Sequence, residues 1–277
     1  MFFRPRFHFT GIRIVNQLRT LVFAARHNIF FIYFIIWQQR YTKIVDLYVS
    51  LFLLTKTQEK TLKNKRYSYG EELSNTLSHA GGILLGVIAG YFLLNRAANS
   101  VAPAWAVTCV AIYLAGMLSS YVSSTWYHGS RPGRVKELLR KFDHGAIYLH
   151  IAGTYTPFTL LVMRHAGGWG WGIFAFVWLS AIVGFILSFT NLKEHSNLET
   201  ICYIGMGGSI LVAMKPLLDS LSAIDATPAF WWLIGGGASY IIGAAFYSLR
   251  KRYMHFVFHV FCLGGSIGHI IAIWLIL

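Results

Sequence analysis

The chain has 277 residues, of which 56% are hydrophobic and only 12% are charged, and its mean hydropathy is +0.53. A soluble globular protein carries about twice that charged fraction, so the composition excludes a soluble protein and predicts an integral membrane protein. The formal net charge of +14 would also suit nucleic-acid binding. The basic residues are spread over short loops, however, which favours membrane orientation and contact with anionic lipid headgroups and argues against a nucleic-acid partner.

The first part of the chain differs from the rest. Residues 1–66 are rich in Arg, Lys and aromatic side chains, and the apolar runs at 29–37 and 44–54 are too short to cross a bilayer. This pattern favours amphipathic helices that lie on the membrane surface, and a mis-assigned start codon is the alternative. The sequence therefore predicts an N-terminal extension over 1–66 and a membrane domain over 67–277.

Seven stretches in the remainder are apolar over about 20 residues each, which is the length needed to span a bilayer. They predict an all-α bundle of seven transmembrane helices, and glycines are frequent within them, which permits close helix approach. The predicted spans are 76–95, 104–127, 144–163, 170–190, 200–218, 230–249 and 256–277.

The loop charges predict the orientation of these spans. Of the 24 Lys and Arg residues, all but Arg96, Arg164 and Lys215 fall in segments on one side of the bundle. Basic residues are retained on the cytoplasmic side of a membrane protein. The sequence therefore predicts a multi-pass protein of the inner or plasma membrane, with a cytoplasmic N-terminus and an external C-terminus.

Histidines near the ends of two spans carry the main chemical signal. His255 and His259 are four residues apart, so on a helix their rings project from one face about 6 Å apart along the axis. His128 ends the second span, and the predicted topology places it at the same membrane depth. Three imidazoles with an open fourth position form the ligand set of a catalytic zinc ion. The alternative is three separate interfacial histidines, each satisfied by water or headgroups.

Two further polar residues lie at this depth. Asp143 begins the predicted third span, and Ser124 lies one helical turn before His128. An acidic side chain that enters the membrane is costly unless it is paired, hydrated or bound to metal. We expect Asp143 to act as a base or to orient a ligand, with a helix N-cap as a compatible alternative.

The first span opens with a polar stripe formed by Glu72, Asn75 and His79, which are spaced by three and four residues. A stripe of this kind should face the bundle interior, where it hydrogen-bonds to neighbouring helices or takes part in chemistry. Two histidines, His150 and His269, lie deeper in the third and seventh spans. A deep pair could ligate haem, but such residues more often hydrogen-bond across a bundle.

Four motifs in order make the chain recognisable: EELSNTLSH, SSTWYH, KFDHGAIYLHIAGTYTPF and HFVFHVFCLGGSIGH. Together they resemble the hemolysin III family, the bacterial branch of the progestin and adipoQ receptors, which include the adiponectin receptors. The resemblance covers about residues 67–277. It implies a bacterial protein, and the first 66 residues have no counterpart in it.

The resemblance also implies specific roles. One histidine of the second helix and two of the seventh hold zinc near the cytoplasmic face in the related receptors, at positions that match His128, His255 and His259. In the family pattern, the positions of Asp143 and Ser124 lie close to that metal. The family resembles alkaline ceramidases, which implies hydrolysis of a lipid amide or ester, and its bacterial members are linked to membrane lipid homeostasis. His150 departs from the apolar residue expected at its position.

The leading hypothesis is therefore a zinc-dependent membrane hydrolase that acts on membrane lipids. The first rival is a non-enzymatic sensor or receptor of membrane state, in which zinc clamps the second and seventh helices. The second rival is a pore-forming hemolysin, which fits poorly with seven resident spans. A reachable fourth coordination position favours catalysis, whereas a closed metal site favours the clamp.

Overall fold

The computed structural model describes residues 67–190, 197–249 and 251–277, and all the regular secondary structure of this part of the chain is helical. The prediction for residues 1–66 lies outside the described residues. The helices of the described part are α1 (Tyr69–Ala98), α2 (Pro103–Gly129), α3 (Arg134–Pro157), α4 (Trp169–Ser188), α5 (Asn197–Gly208), α6 (Met214–Ser222), α7 (Thr227–Ser248) and α8 (Met254–Ile276).

The predicted helical membrane bundle is confirmed. Six helical segments of the described part are long and apolar enough to cross a membrane, with α5, α6 and the 3₁₀ turn between them (Ser209–Ala213) acting as one. The predicted third span corresponds to α3 and a π-helical turn over Phe158–Val162. This helix starts ten residues before the predicted span, because its first turns carry charged residues that hydropathy excludes.

The order of helix packing explains how distant segments meet. Helix α1 packs against both α2 and α8, while α3 packs against α2 and α4, and α7 packs against α8. The first and last helices of the described part of the chain are therefore neighbours. The polar stripe of α1 consequently lies between the end of α2 and the beginning of α8.

Glycines permit the close approach of α1 and α2. A Cβ atom at Gly82 would lie 2.4 Å from the Tyr121 ring, and one at Gly86 would lie 2.7 Å from Leu118. Not every glycine in the spans has this role, since a Cβ atom at Gly81 would meet nothing within 4 Å. Close packing of this kind supplies the van der Waals contact that holds membrane helices together.

The third and fifth spans change helical type where they meet. The α-helix α3 ends at Pro157, which has no N–H to donate, and continues as the π-helical turn. The Tyr155 hydroxyl donates to the Gly207 carbonyl at 2.6 Å and accepts from the Ile210 N–H at 3.0 Å. This one side chain therefore satisfies backbone groups at the point where α5 ends and the 3₁₀ turn begins.

Candidate metal centre

Three histidines converge at one end of the bundle. His128 ends α2, and His255 and His259 lie in the first two turns of α8. One ligand nitrogen from each ring lies within 4.8 Å of the others, and the ring centroids are 4.6 to 5.2 Å apart. The predicted convergence of the three imidazoles is therefore observed, and they are close enough to hold a single metal ion.

A carboxylate from α1 orients the His128 ring. Its Nδ1–H donates to Glu72 Oε2 at 2.7 Å, and the other oxygen of Glu72 accepts from the Lys136 ammonium at 2.8 Å. A carboxylate accepts hydrogen bonds only, so the proton of the neutral ring lies on Nδ1. The lone pair then lies on Nε2, which is the arrangement that metal-binding histidines adopt.

The His259 ring is held in the same way by backbone and hydroxyl groups. Its Nδ1 lies 3.2 Å from the Asn75 carbonyl oxygen and 3.0 Å from Ser78 Oγ. Because a carbonyl accepts only, Nδ1 carries the proton and Nε2 carries the lone pair. Helix α1 thus holds His259 through the backbone of Asn75 and His128 through the side chain of Glu72.

The third ring, His255, contacts a residue that precedes α1. The Tyr67 hydroxyl lies 2.6 Å from His255 Nδ1. Burial raises the pKa of the Tyr67 phenol well above its ordinary value, so the hydroxyl stays protonated at neutral pH. All three Nδ1 atoms of the group are thus hydrogen-bonded, to a carboxylate, a carbonyl and a phenol respectively.

The donor set fits zinc. His128 Nε2 is buried and has no hydrogen-bond partner among the described residues, although its Nδ1 is tightly bound. A buried imidazole nitrogen with a lone pair and no donor is costly, and coordination to a metal ion would satisfy it. In the described part of the chain, no other His, Cys, Asp or Glu joins the three histidines, which matches a three-histidine site that keeps its fourth position for a small ligand.

Two more predicted residues lie beside this group. Asp143 is buried, interacts electrostatically with His128 and approaches Ser124. The Ser124 hydroxyl is buried and makes no hydrogen bond of ordinary geometry with the described residues. The alternative role of Asp143 as a helix N-cap is wrong, because α3 begins at Arg134 and Asp143 lies in its third turn.

The remaining predicted residues have different positions. The His79 ring stacks on His259 with centroids 3.5 Å apart and an interplanar angle of 10°. His150 and His269 are buried farther along the bundle and flank the Tyr240 ring, at 6.0 and 5.5 Å between centroids. These two do not join the metal-capable group.

Several contributors were missed by sequence reasoning. Lys136 was counted only as a loop charge, and Tyr67 lies at the boundary of the predicted extension. Glu71 was overlooked beside Glu72, although it caps α1 through Ser68 and accepts from the Tyr253 N–H at 3.0 Å. The S-x-x-E pattern at 68–71 predicts the contact of Glu71 with Ser68. No pattern in the sequence predicts its contact with Tyr253.

Comparison with known proteins identifies the family of this chain. The family model described as "Haemolysin-III related" matches residues 67–270. Hemolysin-3 from Bacillus cereus is 38% identical over 197 residues, which cover 71% of this chain and 87% of that protein. A Hemolysin-3 homolog from Bacillus subtilis (strain 168) is 37% identical over 201 residues, which cover 72% of this chain and 91% of that protein. The chain therefore belongs to the haemolysin III family.

Proposed function

We propose that this protein is a zinc-dependent hydrolase of lipid amides or esters that acts from within the membrane. The observation that carries the proposal is the three-histidine group, in which each ring is oriented through Nδ1 and no fourth acidic, Cys or His ligand joins from the described residues. Zinc bound by these rings would polarise a carbonyl oxygen and lower the pKa of a water molecule toward neutrality.

The polar residues beside the group have matching roles. Asp143 is the candidate base, since its carboxylate is buried next to His128 and can accept a proton. Ser124 can donate a hydrogen bond to a reacting oxygen, because its hydroxyl is buried beside Asp143 and makes no hydrogen bond of ordinary geometry with the described residues. Glu72 contacts the His128 ring and fixes its orientation, and Lys136 in turn holds Glu72.

The apolar surroundings support a lipid as the substrate. Large hydrophobic side chains such as Leu77, Leu84 and Trp126 are exposed on the described helices around this end of the bundle, as expected for surfaces in contact with acyl chains. A lipid could then reach the site sideways from the bilayer, with its carbonyl group at the level of the histidines. The loop charges support placement of this end on the cytoplasmic side of an inner membrane.

Metal analysis of the purified protein tests the first half of the proposal. We expect about one zinc ion per chain in the wild type and almost none in His128→Ala or His255→Ala. The matched control is His165→Ala, which removes an exposed histidine from the opposite end of the bundle and should retain the metal.

Lipid turnover tests the second half. Release of fatty acid from a defined lipid amide or ester in vesicles should require the metal and should be lost in Asp143→Asn, which keeps the side-chain shape. Turnover that persists in metal-free protein would overturn the hydrolase. Zinc binding without turnover of any lipid class would instead support the sensor, in which the metal clamps α2 to α8.

A further inference from the structure

Beyond the metal centre, polar atoms in the interior lack hydrogen-bond partners. They are the Tyr113 hydroxyl, His150 Nε2, His269 Nδ1 and both ring nitrogens of His79, and none has a partner among the described residues. Each of these side chains is at least nine-tenths buried. Buried polar groups in proteins are almost always satisfied, by other residues or by bound water.

His79, His150 and His269 border one connected cluster of side chains, and Tyr113 interacts electrostatically with Tyr121 of that cluster. Tyr121 and Tyr240 both place their hydroxyl oxygens 2.7 Å from Ser266 Oγ. The ring of Tyr121 contacts His79 and His150, with centroids 5.0 and 5.8 Å apart. The cluster therefore draws on α1, α2, α3, α7 and α8.

The cluster is continuous with the metal centre. On α8 the spacings of four, three, four and three residues place five side chains on one face, and these are His255, His259, Cys262, Ser266 and His269. His269 lies ten residues from His259, or about 15 Å along the axis. His79 connects the metal centre to the interior cluster, because its ring contacts both His259 of the metal centre and Tyr121 of the cluster.

We propose that this interior cluster is a hydration site, in which bound water molecules hydrogen-bond to Tyr113, His150 and His269 and extend toward His79. The water reaches the level of the histidine group from inside the bundle, away from the lipid. Its use as a supply of water for hydrolysis rests on the proposed function, whereas its presence does not.

The chemistry of the unpartnered atoms favours water. His269 Nε2 lies 3.3 Å from the Leu233 carbonyl, so Nε2 carries the proton and Nδ1 is a lone pair that needs a donor. The Tyr113 hydroxyl can both donate and accept, and a water molecule serves both kinds of group at once.

The packing also limits the size of the occupant. A Cβ atom at Gly236 would lie 2.4 Å from the His269 ring, and one at Gly265 would lie 2.5 Å from the Tyr240 ring. The backbones of α7 and α8 thus press directly on these rings. An occupant as small as water suits such a region better than the head of an amphiphile.

Hydroxyl-radical footprinting by X-ray radiolysis tests this proposal, because the radicals form from water beside the residue that they oxidise. Met117 lies on the same face of α2 as Tyr113 and Tyr121, and Met163 lies at the far end of the third span. Both are fully buried, so they form a matched pair. In full-length protein in lipid nanodiscs we expect Met117 to oxidise several-fold faster than Met163.

A variant identifies the polar group responsible. His150→Leu replaces a buried imidazole by an apolar side chain and should lower the oxidation of Met117 and Tyr113 several-fold without changing the bound metal. The control His165→Leu should leave both rates unchanged. If His150→Leu fails to fold, the comparison of Met117 with Met163 in the wild type still decides the matter.

Two results would overturn the hydration site. One is equally slow oxidation of Met117 and Met163, which would mean a dry interior. The other is a stoichiometric amphiphile extracted from the purified protein together with slow oxidation of Met117. Slow oxidation of Met117 in a protein that binds zinc and hydrolyses lipid would refute the hydration site alone. Fast oxidation of Met117 in a protein that binds no zinc would refute only the proposed zinc-dependent hydrolase.

Discussion

At the scale of single residues, the candidate metal centre depends on groups that bind no metal themselves. Glu72 holds His128, Tyr67 contacts His255, and the Asn75 carbonyl holds His259. Such contacts choose which nitrogen carries the proton and hold each ring in one orientation. Their loss should weaken metal binding while the three ligands remain.

Replacing Glu72 tests the strongest of these contacts. In Glu72→Gln, the carboxylate that accepts from both His128 Nδ1 and Lys136 becomes a neutral amide. We expect zinc affinity to fall by about 10- to 100-fold, measured by competition with a chelator of known affinity. Glu137→Gln removes an exposed carboxylate near the start of α3 and should change nothing. Equal affinities for the two variants would show that Glu72 does not orient the ligand.

Replacing Tyr67 tests a weaker contact. Tyr67→Phe removes the hydroxyl that lies 2.6 Å from His255 Nδ1, and we expect zinc affinity to fall by up to about 10-fold. Because burial raises the pKa of this phenol, the hydroxyl should stay protonated and keep its contact in mildly alkaline solution. The difference in zinc affinity between the wild type and Tyr67→Phe should therefore persist from pH 7 to about pH 9. The control is Tyr69→Phe at an exposed position two residues later. A loss that vanished across this range would contradict the assignment.

At the scale of helices, close approach brings α1 and α2 together, and the Gly82 and Gly81 pair allows a matched test. In Gly82→Ala, the new methyl group meets the Tyr121 ring, so we expect a loss of about 1–3 kcal/mol in the free energy of unfolding. In Gly81→Ala, the methyl group meets nothing within 4 Å. We therefore expect only a gain of up to about 1 kcal/mol in the free energy of unfolding, from the higher helix propensity of alanine. Thermal unfolding in detergent measures both, and similar shifts for the pair would refute the contact.

The sequence predicted the helices well because a membrane span must satisfy its own backbone and therefore has a minimum apolar length. The start of α3 at Arg134 was missed, since charged turns beyond the apolar region leave no hydropathy signal. The convergence of the histidines was predicted from helical spacing and matching depth. The spacing of residues along each helix could not predict that α1 and α8 are neighbours. The contacts of Tyr67 and Glu71 depend on this adjacency.

At the scale of the whole molecule, the loop charges predict which end of the bundle faces the cytoplasm. Helices α2 and α3 are joined at the histidine end, whereas α1 and α2 are joined at the opposite end near Val101. A single cysteine introduced as Pro132→Cys should react with a membrane-impermeant maleimide only after the inner face is exposed. One introduced as Val101→Cys should react in intact cells. Cys109, Cys202 and Cys262 are replaced beforehand, and the reverse labelling pattern would invert the proposed orientation.

The contact between the first and last helices has a consequence for biosynthesis. Two of the three histidines belong to α8, which is synthesised after α1 to α7, and Glu71 and Tyr67 at the start of α1 contact residues at the start of α8. A nascent chain therefore has only His128 of this group until α8 has been made. Metal retention would thus separate chains that contain α8 from chains that were truncated before it.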